Sequence, residues 1–130
     1  IKILPTSIGK PIPGVNVIIL REDGTQADID EIGEIVHRGD YLFAGYWNDP
    51  VATSLALRPD PLASKISANP DLVLFTGDYG YLNKEGFLYF HGRRDRLLKV
   101  MGVRVSPSEI EEQLCASGLI KEICVFSSSP

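Results

Sequence analysis

Two features of the sequence could do chemistry: a carboxylate that follows a glycine, and a cluster of cations further along the chain. Asp78 comes directly after Gly77 at the end of an apolar run. A carboxylate on a sharp turn can accept two hydrogen bonds from a ribose diol. The competing interpretation is an Asx turn, in which the side chain caps its own backbone. Without further context, these two residues favour the Asx turn.

The cations form a local excess in an acidic chain. Five of the thirteen lysine and arginine residues lie within twelve positions that hold one acid, Asp95; they are Arg93, Arg94, Arg96, Lys99 and Arg104. Guanidinium groups bind phosphate oxygens through paired N–H donors, so this segment could bind an anionic ligand. A solvated basic face that offsets acidic neighbours is an equally good interpretation.

The other candidates for chemistry are weak. His37 and His91 have no carboxylate or nucleophile nearby in the sequence, so both are predicted to be packed or surface histidines. Cys115 and Cys124 are too few for a disulfide framework, and we predict reduced, buried thiols. The acidic stretch 22–34 matches no calcium loop and is predicted to be a solvated loop. We therefore predict no metal site.

The composition describes one ordinary globular domain. The chain has 130 residues, of which 44% are hydrophobic and 23% charged. Its formal net charge of -4 argues against nucleic acid or an anionic membrane as a partner. No apolar run approaches the roughly 20 residues that span a bilayer, and the N-terminus lacks a signal-peptide pattern. These observations predict a cytoplasmic protein, and a start at Ile1 without Met predicts that it is a segment of a longer one.

The elements that must position these residues are mostly strands in the first half of the chain. Apolar runs predict strands at Val15 to Leu20 and at Ile32 to Val36. The aromatic stretch 41–47 contains Gly45. It predicts a strand or bend whose backbone comes into close contact with a neighbouring group at that glycine. A short helix is predicted over Val51 to Leu57, and a loop over 58–71.

The second half begins with the apolar run that leads to Asp78. Leu72 to Phe75 predicts a short strand that ends at residues 76–78. Residues 81–82 and 87–90 are predicted to pair as a hairpin, with Gly86 at a positive φ.

A helix and a last strand are predicted beyond the cations. Ser106, Pro107 and Glu109 form a capping-box pattern that starts a helix from Pro107 to about Cys115. Gly118 is placed to end this helix. The alternation from Ile120 to Phe126 predicts a strand.

The motifs in their order resemble the adenylate-forming superfamily: acyl-CoA synthetases, adenylation domains of peptide synthetases, and luciferases. The motifs downstream of the first strands are Thr76-Gly77-Asp78, Glu85 to Phe90, Gly92-Arg93-Arg94-Asp95, Leu98-Lys99, Gly102 to Val105 and Ser108 to Glu111. Those upstream are Gly9-Lys10-Pro11, Pro13-Gly14, Gly33-Glu34-Ile35 and Gly45-Tyr46 with Pro50. The resemblance therefore covers nearly the whole chain.

The resemblance implies an α+β segment of a larger protein. Residues 1–94 would be the last, strand-rich part of the large AMP-binding domain, which belongs to its distorted β-barrel. Residues 95–130 would be the hinge and the first strand, helix and strand of the small C-terminal domain. The family's phosphate loop, its adenine and magnesium motif and its catalytic lysine have no counterpart in the sequence. The segment alone is therefore expected to be inactive and to hold no catalytic residue.

The resemblance also implies roles for single residues. Asp78 would bind the ribose hydroxyls of ATP and of the acyl-adenylate, and Arg93 would contact the ribose or a phosphate. Asp95 would be the hinge about which the small domain rotates between two half-reactions. A loop that enters the site for thioester formation would carry Lys99, Gly102 and Arg104.

The activity implied for the parent protein is that of an AMP-forming ligase. It would activate a carboxylic acid with ATP and Mg²⁺ to an acyl-AMP and transfer the acyl group to coenzyme A. The segment Gly102 to Pro107, followed by Ser108-Glu109, looks more like acyl-CoA ligases than like amino-acid adenylation domains, which load a carrier-protein phosphopantetheine.

A competing hypothesis from another class is a non-catalytic, β-rich binding module. Its aromatic residues would form a protein interface or, as we favour, simply a core. The residues concerned are Tyr41, Phe43, Tyr46 and Trp47. Stabilisation of the parent by an adenylate, abolished by Asp78→Ala, would separate an enzyme from such a module.

Overall fold

The computed structural model describes residues 7–63 and 71–127, which form two compact units. The first unit ends at His91 and the second begins at Gly92. The elements are β1 (Val15–Leu20), β2 (Gly33–Gly39), α1 (Pro50–Ala56), β3 (Leu57–Pro59), β4 (Leu72–Leu82), β5 (Leu88–Arg93), β6 (Leu98–Val100), β7 (Val103–Val105) and α2 (Pro107–Ala116). This mixture confirms the α+β class.

The first unit is built on one sheet in the order β1-β2-β4-β3, with β5 also paired to β4. The pairs β1 with β2, β2 with β4 and β3 with β4 are antiparallel. β1 has the predicted bounds, and β2 continues past the predicted end to Gly39. The hairpin between β4 and β5 is confirmed, and Gly86 has φ +80.

The main cluster of buried side chains lies on one face of the sheet, and the buried pair Ile19 and Ile35 lies on the other. Ile18 and Val36 are cross-strand partners, and period-2 alternation puts Leu20 on the same face. These residues are buried with Val73, and Phe75 packs against them. Burying each such side chain contributes about 1.5–3 kcal/mol, so this cluster stabilises the strands that carry the site.

Two elements differ from the prediction because they depend on pairing partners. β3 begins at Leu57, the last residue of the predicted helix, and covers residues 58–59 of the predicted loop; Leu57 pairs with Leu74 and Pro59 with Leu72. Pro59 is tolerated because β3 ends the strand order β1-β2-β4-β3, and an edge strand need not donate every N–H. The predicted strand Leu72 to Phe75 continues as β4 to Leu82, since β2 and β5 supply partners for its second half.

The loop between β1 and β2 is acidic, as predicted, and it is organised by one arginine. Arg21 donates from Nε and Nη2 to the two oxygens of Glu31, at 2.7 and 2.6 Å. Its Nη2 also donates to Asp28 at 2.9 Å. The backbone N–H of Asp28 donates to Glu31 at 2.8 Å. This arginine therefore ties the loop back to the end of β1.

The Arg21–Glu31 pair makes the stability of the first unit depend on pH. The hydrogen bond from Arg21 and then that from Asp28 N–H lower the pKa of Glu31 below its usual 4.5. A lowered folded pKa gives stability that is present above the unfolded pKa and is lost as the pH falls through the folded pKa. We expect Glu31→Gln to destabilise the parent at pH 7 and to lose this effect as the pH falls below the unfolded pKa and through the lowered folded pKa of Glu31. Urea midpoints across pH measure this; exposed Glu85→Gln is the control, and an effect of Glu31→Gln that is the same at every pH would contradict it.

The second unit holds the hairpin of β6 and β7 followed by α2. The helix starts at Pro107 as predicted, and Gly118 follows it with φ +72. The predicted capping box is wrong in one respect, because the Ser106 side chain makes no capping hydrogen bond. Ser106 is instead buried, with 1% of its surface exposed.

The strand predicted for Ile120 to Phe126 is also wrong, because no strand is assigned to these residues. A strand needs a neighbour that accepts its backbone hydrogen bonds. Here the Val125 N–H donates to the Glu111 carboxylate of α2, at 2.7 Å. The alternating pattern therefore indicated partial burial correctly, but the strand pairing that it predicted is not formed.

Candidate functional site

Asp78 lies on a bulge of β4 that faces β2. Glu34 pairs with Tyr79 and Val36 with Phe75, so Ile35 of β2 faces the three residues 76–78 of β4. Gly77 has φ +72, a conformation that residues with a Cβ adopt at a cost of about 1 kcal/mol. Bulges bend a strand and redirect its side chains, and they occur often beside active sites. The half-buried Asp78 carboxylate therefore lies outside the regular alternation of the strand.

Arg93 and Asp95 lie where the second unit begins. Arg93 is the last residue of β5, and its carbonyl accepts from the N–H groups of Arg96 and Leu97 at 3.1 and 3.0 Å. Asp95 lies in the turn that these bonds close, and its carboxylate is 3.6 Å from Arg93 Nε. Both side chains are exposed. Residues 93–96 of this turn are all exposed.

Lys99, Gly102 and Arg104 lie on the two-stranded hairpin of β6 and β7. Lys99 and Arg104 are cross-strand partners, and Val100 pairs with Val103. The two connecting residues, Met101 and Gly102, have φ +49 and +84, as in a type I′ turn. The structure thus brings the two predicted cations to one place on the hairpin.

The hairpin concentrates positive charge. Cross-strand partners have Cβ atoms about 4.5–5.5 Å apart, so one phosphate group is within reach of both Lys99 and Arg104. The neighbouring Arg94 and Arg96 are exposed in the preceding turn. This arrangement suits a phosphorylated ligand better than a neutral one.

Met101 lies at the tip of this hairpin and was not among the site residues predicted from the sequence. It is fully exposed and is one of the non-glycine residues with positive φ among those the structure describes. An exposed, flexible, apolar side chain on a tight turn can contact a ligand that approaches the hairpin. A Met-Gly pair between two valines is a signal that could have indicated this turn.

The histidines, the cysteines and the acidic residues of the loop are not part of the candidate site. Within residues 7–63 and 71–127, no group of three His, Cys, Asp or Glu residues could hold a metal ion. Both histidines are half-buried, as predicted. Cys115 and Cys124 are unpaired thiols, but the prediction that they are buried is wrong, because Cys124 is exposed and Cys115 half-buried.

The aromatic stretch 41–47 is a bend and not a core. The close approach predicted for it is confirmed: a Cβ on Gly45 would lie 2.8 Å from Thr53 Cγ2. Core positions were predicted for its aromatic residues, but Trp47 is 92% exposed, and Tyr41 and Tyr46 are exposed too. Phe43 is half-buried, and its ring lies edge-on to that of Tyr46 with the centroids 5.0 Å apart.

Comparisons with known proteins identify relatives of this chain. No family model matches the chain. The chain is 38% identical over 122 residues to a long-chain-fatty-acid–CoA ligase of Bacillus subtilis, which covers 93% of the chain and 20% of that protein. It is 38% identical over 116 residues to a 2-succinylbenzoate–CoA ligase of Geobacillus kaustophilus, which covers 89% of the chain and 21% of the relative. The chain thus spans about a fifth of the length of these relatives.

Solved structures give the same result. The O-succinylbenzoate coenzyme A synthetase from Bacillus subtilis, in complex with AMP, superposes with a TM-score of 0.77 at 30% identity. That match covers 95% of this chain and 23% of the other. ATP-bound MatB from Rhodopseudomonas palustris gives a TM-score of 0.70 at 30% identity over 87% of this chain and 20% of that one.

Fold and sequence together relate the chain to about a fifth of the length of larger adenylate-forming proteins. It belongs to the adenylate-forming superfamily. Several of the relatives that it matches are named CoA ligases, so its resemblance lies with the AMP-forming acyl-CoA ligases of that superfamily.

Proposed function

We propose that the parent protein is an AMP-forming ligase that joins a carboxylic acid to coenzyme A. One observation carries this proposal: a single match to a CoA ligase covers 93% of the chain and so includes both the bulge of Asp78 and the hairpin of Lys99 and Arg104. The first unit, together with residues 92–94, would be the end of the large AMP-binding domain. Residues 95–130 would be the hinge and the start of the small domain.

The proposed reaction has two steps. A carboxylate oxygen of the acid attacks the α-phosphorus of ATP, the bond to pyrophosphate breaks, and acyl-AMP forms. The coenzyme A thiolate then attacks the acyl carbon, and the bond to AMP breaks. Both AMP and ATP occur in the matched structures of other members, which supports a nucleotide in the parent.

Residues of this chain would bind and orient the nucleotide without taking part in bond breaking. The Asp78 carboxylate would accept hydrogen bonds from the two ribose hydroxyls, which fixes the adenosine relative to the α-phosphorus. Arg93 would donate N–H groups to the ribose or to a phosphate oxygen. Mg²⁺ would be held by the phosphates of ATP with one or two carboxylates of the parent; the described residues contain no cluster of three or more His, Cys, Asp or Glu residues that could hold it.

The second unit would serve the thioester step. Asp95, in the exposed turn after β5, would be the hinge, and the hairpin would bring Lys99, Gly102 and Arg104 to the site. The positive charge of this hairpin supports an acceptor that carries phosphate, which both coenzyme A and a carrier-protein phosphopantetheine do. We favour coenzyme A because relatives are named CoA ligases. We also propose that the parent lies in the cytoplasm.

The function is tested in the full-length parent by measuring the two steps separately. Pyrophosphate exchange with a panel of carboxylic acids reports adenylation, and thioester formation is then compared with coenzyme A and with a phosphopantetheinyl carrier protein. If none of the acids supports pyrophosphate exchange, the proposal is wrong. It is also wrong if the exchange rate is the same with and without an acid. Preference for the carrier protein would move the parent to the amino-acid-adenylation class.

Asp95→Pro tests the hinge within the same assays. Proline fixes φ near -65° and restricts the preceding residue, so it limits rotation at the turn. We expect thioester formation to fall at least about tenfold more than pyrophosphate exchange. Asp95→Ala, which keeps the rotation, is the control. Equal losses in both half-reactions of the proline variant would rule out the hinge role.

A further inference from the structure

The bulge that carries Asp78 is held by one side-chain hydroxyl. Thr76 Oγ1 donates to the carbonyl of Ile35 at 2.7 Å and accepts from the backbone N–H of Asp78 at 3.1 Å. Thr76 is half-buried and Ile35 is buried. The hydroxyl therefore joins β2 to the amide of the residue proposed to bind the ribose.

The register explains why a hydroxyl is needed there. One residue of β2, Ile35, faces three residues of β4, so the regular ladder is interrupted at this point. A buried carbonyl without a partner costs about 1–3 kcal/mol. The Thr76 hydroxyl supplies a donor to this carbonyl and, on its other side, an acceptor for Asp78 N–H. It replaces the bonds of a regular strand with bonds that fix the shape of the bulge.

The direction of the Asp78 side chain follows from that shape. Gly77 has φ +72 and offers no side chain that could stiffen this part of the strand. The Asp78 N–H bond to Thr76 therefore restrains the backbone at the Cα from which the carboxylate extends. A shift of this amide would move both carboxylate oxygens relative to a bound ribose.

We propose that Thr76 is a positioning residue, whose hydroxyl holds the bulge so that the Asp78 carboxylate meets the ribose diol. This inference rests on the proposed role of Asp78 as the ribose ligand. It adds a residue that acts through Asp78 without touching the nucleotide. Its effect should therefore be confined to recognition of the two ribose hydroxyls.

The experiment measures the diol preference of the full-length parent, defined as the Kd for 2′,3′-dideoxy-ATP divided by the Kd for ATP, by titration calorimetry. Binding is measured without an acid substrate. Thr76→Val keeps the shape and removes the hydroxyl, and we expect it to lower the diol preference at least about fivefold. Thr76→Ser keeps both hydrogen bonds, and we expect it to stay within about twofold of the wild type.

Two further variants make the result specific. Thr53→Val is a matched control, because Thr53 Oγ1 also bridges two backbone groups, accepting from Tyr46 N–H at 2.9 Å and donating to the Asp49 carbonyl at 2.8 Å. We expect it to keep the diol preference. Asp78→Asn reports whether Asp78 binds the diol at all, and we expect it to lower the diol preference about a hundredfold.

Each outcome decides one of the two claims. If Asp78→Asn keeps the diol preference, the role proposed for Asp78 is wrong and the inference about Thr76 falls with it. If Asp78→Asn removes the preference while Thr76→Val keeps it, or weakens both nucleotides equally, Thr76 is merely structural and the inference is overturned. Should Thr76→Val not fold, Thr76→Ala makes the same comparison; if neither hydroxyl-free variant folds, the inference is likewise overturned.

Discussion

Asp78→Asn in the full-length parent is expected to raise the KM for ATP in pyrophosphate exchange about a hundredfold. The carboxylate offers acceptors to both ribose hydroxyls, whereas an amide presents an NH₂ group to one of them. Each hydrogen bond to a charged group contributes about 1.5–3 kcal/mol, and a hundredfold change corresponds to about 2.7 kcal/mol. The loss therefore matches one such bond and part of a second.

The control for this variant is Asp71→Asn. Asp71 is an exposed residue directly before β4, on the same segment of chain as Asp78. Removing its charge leaves the bulge intact, so the KM for ATP should stay within about twofold of the wild type. An unchanged KM in Asp78→Asn, or equal losses in both variants, would remove Asp78 from the nucleotide site.

The second large effect is expected for Gly80→Ala, which should destabilise the first unit by about 3 kcal/mol. A Cβ at Gly80 would collide with the carbonyl oxygen of Tyr89 and lie 2.9 Å from Ile35 Cδ1. Tyr89 lies on β5, which pairs with β4, so its carbonyl cannot retreat without loss of that pairing. A Cβ at Gly33, the partner of Gly80 on β2, would collide with the Leu20 carbonyl oxygen in the same way.

Urea unfolding of the full-length parent measures this loss. Gly86→Asn is the matched control, because Gly86 is in the hairpin loop and a Cβ there meets nothing within 4 Å. Asparagine tolerates the positive φ of Gly86, so its cost should stay below about 1 kcal/mol. A loss at Gly80 no larger than that at Gly86 would show that the close approach of β4 and β5 is not rigid.

Local signals in the sequence predicted the elements whose residues carry their own instructions. β1 has the predicted bounds because its alternation and the following turn are both local. Pro107 and Gly118 bracket α2 for the same reason, since a fixed φ at the start and a positive φ at the end are properties of single residues. Gly86 likewise has the positive φ expected of it.

Features that depend on pairing between distant residues were missed. Residues 57–59 show no strand pattern of their own and become β3 only because β4 offers an edge. The bulge at residues 76–78 exists only in relation to Ile35, 41 positions away from Thr76, so the sequence could indicate Asp78 but not the hydroxyl that holds it. Ser106 has the right type and place for a cap, but burial of its side chain overrides that signal.

The candidate site residues came from motifs, their roles stay predictions, and their geometry was not predicted. Motif order supplied Asp78 and Arg93, which lie in different units, and no local rule relates them. The pairing of Lys99 with Arg104 could have been derived, since two valines around a two-residue turn set the register of that hairpin. The sequence identified both cations without placing them opposite each other.

The exposed aromatic bend has a consequence for how these 130 residues would behave in isolation. Trp47 is almost fully exposed, and Val51 and Leu55, four positions apart on α1, are exposed beside it in sequence. No residue of α1 is buried within the unit. An exposed apolar face of this kind promotes association with other apolar surfaces, including a second copy of itself, at high concentration. Self-association of the isolated segment would therefore report this face and would not reveal the quaternary structure of the parent.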